Sequence, residues 1–179
     1  MYFNKQKCLE LMVESKKLLQ QGKSLWDSDK AKSKKLTQYL TLLYDDIFWK
    51  SRHQYIQILE SFINRSIDVD ELIQKFNDLR GSNMKASKMR EENLEAEAFL
   101  PEASEMDFQL NTQSTGFTKI ISSIDTTIDL FDPDITLDMN LKHPELIGYG
   151  ISEEFLRLDL KDNFLPAFLM LSYLTLANH

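Results

Sequence analysis

Cysteine, glycine, proline and histidine are all scarce in this 179-residue chain, and each scarcity closes off a class of chemistry. The one cysteine, Cys8, cannot form an internal disulfide, and its neighbours Leu9, Leu11 and Met12 mark it as a small core residue. Five glycines and four prolines are few for a many-turned β-sandwich, and neither a glycine-rich phosphate loop nor a serine in a nucleophile-elbow setting is present. His53, His143 and His179 have no His or Cys partner three or four residues on, so no zinc site is expected. The run Asp132, Asp134, Asp138 departs from a calcium loop: Thr136 stands at its fifth position, Leu137 replaces the glycine and His143 the closing glutamate. No metal and no cofactor are expected, and the chain reads as a protein that is not an enzyme.

Long hydrophobic runs are missing as well. The greasiest stretch, 164–177, is shorter than the roughly 20 residues that span a bilayer and contains Pro166 and Ser172. The start, 1–7, is polar and charged rather than basic, apolar and small-residued in succession, so it does not read as a secretory signal and a cytoplasmic location is expected.

What the chain does have is apolar residues at helical spacing. They make up 42% of the sequence, enough for a core, and predict an all-α protein, an antiparallel helical bundle in one domain over 1–179. Cys8, Leu11, Met12, Leu18 and Leu19 form an N-terminal stripe that Gly22 ends. Asp27 or Ser28 is placed to cap the next helix, which turns apolar at Leu36, Tyr39, Leu40 and Leu43. The clearest unit is a helical hairpin over 52–80: Tyr55, Leu59 and Phe62, then Leu72, Phe76 and Leu79, repeat the same spacing. Between them Asp68 is placed as N-cap, Glu71 three residues later suits a capping box, and Ile67 and Leu72 suit a hydrophobic staple; Gly81 is expected to end the second helix.

From 82 to 115 the pattern weakens into what reads as a mobile acidic connection, with a helix near Met89, Leu94 and Phe99 that Pro101 breaks. Phe117, Ile121, Ile124, Ile128 and Phe131 then mark another buried face. An irregular segment follows, and Ser152 is placed to cap a last helix over 155–177, bent at Pro166.

The net charge of −7 hides an asymmetry, since residues 1–90 sum to +6 and residues 91–179 to −13. An acidic second half repels phosphate backbones and attracts basic partners, so direct nucleic-acid binding by it is disfavoured. The bland alternative is that the two halves pack together and neutralise one another. Neighbouring carboxylates such as Asp45–Asp46 and Glu153–Glu154 point about 100° apart on a helix, so each pair reads as a solvated face rather than a catalytic dyad. Candidate partner contacts are Asp132, Asp134, Asp138, Glu145, Glu153 and Glu154, which flank or cap helix ends in the irregular segment.

The hairpin Tyr55-Ile-Gln-Ile-Leu-Glu-Ser-Phe-Ile-Asn-Arg-Ser-Ile-Asp-Val-Asp-Glu-Leu-Ile-Gln-Lys-Phe, the segment Ile128-Asp-Leu-Phe-Asp-Pro-Asp and the later Tyr149-Gly-Ile-Ser-Glu-Glu-Phe-Leu-Arg resemble the bacterial colicin D immunity-like family. The likeness covers roughly residues 51–82 and 116–165; the stretch before Ser51 and the acidic mid-chain insertion depart from it. The resemblance implies a small antiparallel helical bundle that binds a cognate tRNA-cleaving toxin and blocks its basic active site with acidic side chains. The expectation is therefore a non-catalytic, immunity-like or antitoxin-like inhibitor with a basic protein partner, a nuclease toxin, and with neither nucleic acid nor membrane bound directly. The alternative is an oligomeric helical scaffold that self-associates through Phe164, Phe168, Leu171 and Leu176 of the C-terminal helix.

Overall fold

The computed structural model describes residues 2–97, 108–109 and 112–173, and over these the chain is all-α apart from one short two-stranded pairing and one isolated β-bridge. The expected contributions of Phe99, Pro101 and Leu176 lie outside the described residues. Among those described, no helix is long and apolar enough to cross a membrane. The chain divides into two compact units, Met1–Phe48 with Ser82–Thr115, and Trp49–Gly81 with Gly116–His179.

In the first unit β1 (Tyr2–Phe3) pairs antiparallel with β2 (Phe108–Gln109). Helix α1 (Lys5–Gln20) begins where the Asn4 side chain accepts the Lys7 N–H at 2.7 Å. It ends in a Schellman motif: the Lys23 N–H donates to the Leu18 carbonyl at 2.9 Å and the Gly22 N–H to the Leu19 carbonyl at 3.0 Å. Gly22 sits there at φ 70°, a conformation that favours a residue without a Cβ. A short helix α2 (Leu25–Ser28) follows, capped by Ser24.

The cap of α3 (Lys30–Lys50) is neither Asp27 nor Ser28 but Asp29, whose carboxylate accepts the Lys32 N–H at 3.0 Å. The reason is local: Asp27 and Ser28 are already inside the α2 turn, where Ser24 Oγ receives the Asp27 N–H at 3.0 Å.

Phe3, Cys8, Leu11, Tyr39, Leu43 and Leu94 form this unit's core, with Phe3 edge-on to Tyr39 at 5.5 Å between ring centres. Burial, and secondarily Glu91, push the Cys8 thiol up to about 11, which fits a packing residue rather than a nucleophile.

Gly81 does not end the hairpin's second helix. Helix α5 (Val69–Glu97) runs through it and takes in much of the stretch expected to be a connection. An interior glycine costs about 1 kcal/mol relative to alanine, and the contacts beyond it outweigh that cost. Leu94 is buried in the core, Arg90 pairs with Asp46 at 2.7 Å, and Lys16 and Lys5 pair with Glu95 and Glu97, each at 2.5 Å. Asp45 and Asp46 are not a solvated face either: Asp45 is 2% exposed and accepts from Thr115 Oγ1 at 2.6 Å.

In the second unit α4 (Arg52–Ile63) and the first turns of α5 form the expected hairpin. Tyr55 and Phe76, nearly equidistant from the turn between the helices, meet at 5.3 Å between ring centres, as an antiparallel arrangement requires. Asp68 caps α5, its carboxylate accepting the Glu71 N–H at 2.9 Å, and Ile67 and Leu72 are buried at the staple positions. The Glu71 carboxylate turns instead to Lys75, at 3.3 Å. Asp68→Ala is expected to lower unfolding stability by about 1 kcal/mol, read as a lower urea midpoint with an unchanged slope; no shift would mean that Asp68 is not the cap in solution.

Helix α6 (Thr112–Asp129) buries Phe117, Ile121, Ile124 and Ile128. Phe117 is the hub of the second unit, with ring contacts to Trp49 at 5.7 Å, Tyr55 at 6.0 Å and Phe168 at 4.7 Å. The last helical stretch is not continuous α-helix. It comprises α8 (Glu153–Asp159), a wide π-helical turn at Leu160–Phe164, and α9 (Leu165–Tyr173). Pro166 explains the widening: it has no N–H to give, and its ring would strike the carbonyl four residues earlier in a regular helix.

Candidate functional site

The six acidic residues singled out in the sequence fall on one stretch of the second unit, between the ends of α6 and α8. Phe131 and Ile151 form a parallel bridge: the Asp132 N–H donates to the Ile151 carbonyl at 2.9 Å and the Ile151 N–H to the Leu130 carbonyl at 2.8 Å. The intervening chain is thereby a closed-neck loop, a form in which compact surface loops often carry function.

The loop is built around two residues. Asn140 is 1% exposed; its Nδ2 donates to the Gly150 carbonyl at 3.1 Å and its Oδ1 accepts the Ser152 N–H at 2.9 Å. One side chain thus satisfies two backbone groups that burial would otherwise leave unmet. Gly150 is there for close approach: a Cβ would lie 2.5 Å from Ile135 Cδ1 and 3.2 Å from Asp132 Cβ. Around this pin the Asp132 carboxylate takes the Asp134 N–H at 2.9 Å, Thr136 caps the short helix α7 (Leu137–Lys142), and Pro144–Leu146 makes one 3-10 turn.

The acidic residues have distinct surroundings. Asp132 is half-buried and spends its carboxylate on the turn. Asp134 is exposed at the turn's tip. Asp138 pairs with Lys142 at 2.7 Å one helical turn away, with both side chains about two-thirds exposed, so the pair is worth little. Glu145 lies 3.2 Å from His143 Nδ1; a hydrogen bond from its own backbone N–H, then the imidazole, lower its pKa from the ordinary value. Glu153 and Glu154 occupy the first turn of α8, where Ser152 Oγ accepts the Phe155 N–H at 3.1 Å. Glu153 is engaged with Arg157, whereas Glu154 is exposed.

Exposed apolar side chains share this loop with the acids, and their exposure has no signal in the sequence. Met139, Leu141, Leu146 and Tyr149 are 41%, 67%, 40% and 85% exposed. Leucine and methionine at such places look like core, and only the fold turns them outward. Asn140 has no signal in the sequence either, because a lone asparagine between Met139 and Leu141 forms no pattern of its own.

Chemically, this surface offers carboxylates and apolar groups on a braced backbone. Among the described residues no three His, Cys, Asp or Glu side chains gather where they could hold a metal ion. The tertiary structure also redistributes charge. By sequence, the first unit sums to −1 and the second to −6, because the acids of α5 are drawn among the basic N-terminal helices. Compared with protein-family models, characterised proteins and solved structures, the chain matches none of them.

Proposed function

We propose that this protein acts by binding rather than catalysis, and that the loop of residues 132–149 with the first turn of α8 is where a basic protein partner docks. The observation that carries the proposal is the exposure of Tyr149, Leu141 and Leu146 beside Asp134, Asp138 and Glu145 on a loop pinned from inside by Asn140. Exposed aromatic and apolar side chains on a loop that also carries charged ones match the composition of interface hot spots and their rims. A pinned backbone needs little further ordering on association.

The partner class follows from charge and from the resemblance to immunity-like proteins. A nuclease carries a basic cleft for its phosphate substrate, and carboxylates presented on a rigid loop compete for the same cations. The chain would then be an immunity-like or antitoxin-like inhibitor of a tRNA-cleaving toxin, with Tyr149 supplying apolar contact and the acids steering the encounter.

The test reverses two exposed charges, Asp134→Lys with Asp138→Lys, and measures association with a purified tRNA-cleaving toxin domain by stopped flow at two ionic strengths. The expected result is an association rate lowered about tenfold or more at low salt, with its salt dependence flattened and circular dichroism unchanged. An affinity indifferent to both the double change and ionic strength would rule out the acidic mechanism.

A further inference from the structure

A second feature of the same unit has the opposite charge. The turn between α4 and α5 and one face of α8 and the π-helical turn enclose a pocket of about 360 Å³, lined by Ile63, Arg65, Leu137, Glu154, Arg157, Leu158 and Lys161. That is the size of a small-molecule site, and three cations face one carboxylate within it.

Arg157 forms its floor. The residue is 8% exposed, its guanidinium lies over the Phe62 ring at 3.8 Å from the centroid, and one nitrogen is engaged by Glu153. The ring offsets part of the charge but cannot accept the in-plane N–H groups. Nε and Nη1 are buried with no hydrogen-bond partner. Buried guanidinium donors left unmet are uncommon, and they call for an acceptor that the chain itself does not provide.

Arg65 forms the rim, and its backbone is anomalous. Helix α4 ends in the same Schellman motif as α1: the Ser66 N–H donates to the Ser61 carbonyl at 2.8 Å and the Arg65 N–H to the Phe62 carbonyl at 3.0 Å. In α1 the left-handed position holds Gly22; here it holds Arg65, at φ 61°. A side chain kept where glycine fits better suggests a use for that side chain. Arg65 and Lys161 are both exposed, so an arriving ligand meets them before Arg157.

We infer that this pocket binds a small phosphate monoester with a short apolar body. The phosphate would sit among Arg65, Arg157 and Lys161, and the body against Ile63, Leu137 and Leu158. With Glu153 held by Arg157 and Glu154 in the lining, the three cations still leave a net positive charge for an anion, and the planar forks of two arginines suit phosphate oxygens. Leu137 and Glu154 belong both to this pocket and to the proposed docking surface, but the residues changed in the two tests differ, Arg65 and Lys161 here against Asp134 and Asp138 there, so one can fail without the other.

Phenyl phosphate is the probe, followed by ¹⁵N NMR including the arginine Nε–H region, with inorganic phosphate and phenol in parallel. Phenyl phosphate should give saturable shifts confined to the pocket residues and to one buried arginine Nε–H, inorganic phosphate weaker shifts at the same residues, and phenol none. The variant Arg65→Gly with Lys161→Gln should weaken phenyl phosphate about tenfold or more. Its thermal midpoint should not fall, because glycine relieves the left-handed backbone. Three results would overturn the inference: no saturable shift up to about 10 mM, a range that reaches weak millimolar binding; equal binding by the double variant; or phenol binding as well as phenyl phosphate.

Discussion

Replacing Phe117 with alanine is expected to remove about 3–5 kcal/mol of stability, a large share of the roughly 5–15 kcal/mol that holds a typical domain folded. The side chain is fully buried and is the one that Trp49, Tyr55 and Phe168 all touch, so its loss leaves a cavity bounded by rings too stiff to close over it. Urea unfolding followed by tryptophan fluorescence is the measurement. Trp49 packs on Phe117, whereas Trp26 lies in the other unit and is 47% exposed, so a Trp26→Phe background isolates the signal of interest. A loss below about 1 kcal/mol, the range of a volume-conserving swap, would mean that the four rings do not form one packed cluster.

Asn140→Ala is expected to cost about 2–4 kcal/mol, because truncation strands two backbone groups as well as losing two hydrogen bonds. The Gly150 carbonyl and the Ser152 N–H are both buried, and Gly150 is too tightly packed against Ile135 for water to replace the amide easily. Asn140→Asp would not rescue it: the carboxylate can still accept from Ser152, but it loses the donor to Gly150 and places a charge in the interior. Hydrogen exchange at the Ser152 amide should accelerate in both variants. If the loop is the docking surface, partner affinity should fall too, although Asn140 is buried and touches no partner. Unchanged protection at Ser152 would show that the neck bridge alone holds the loop.

Elements whose pattern is local were legible in the sequence. The hairpin, its cap at Asp68, the buried stripe from Phe117 to Ile128 and the cap at Ser152 each depend on residues within a few positions of one another, and all stand in the structure. Local signals mislead where they compete with a distant partner. Gly81 is a valid stop signal by itself, but Leu94, Arg90, Glu95 and Glu97 reach partners in α1 and α3 that lie far away in sequence. The pair Asp45–Asp46 looked solvated because Thr115 and Arg90, which satisfy the two carboxylates, are 70 and 44 residues distant.

The sequence by itself determined the all-α class, the hairpin and the position of an acidic, irregular segment before the last helix, since spacing and capping are properties of neighbours along the chain. Only the tertiary structure decided where the net charge resides, which leucines face water, and that Asn140, Arg65 and Arg157 matter. Those outcomes depend on what a side chain meets after the chain has folded back on itself. Burial can turn a lone asparagine into the pin of a loop, and it can leave two donors of one arginine without a partner.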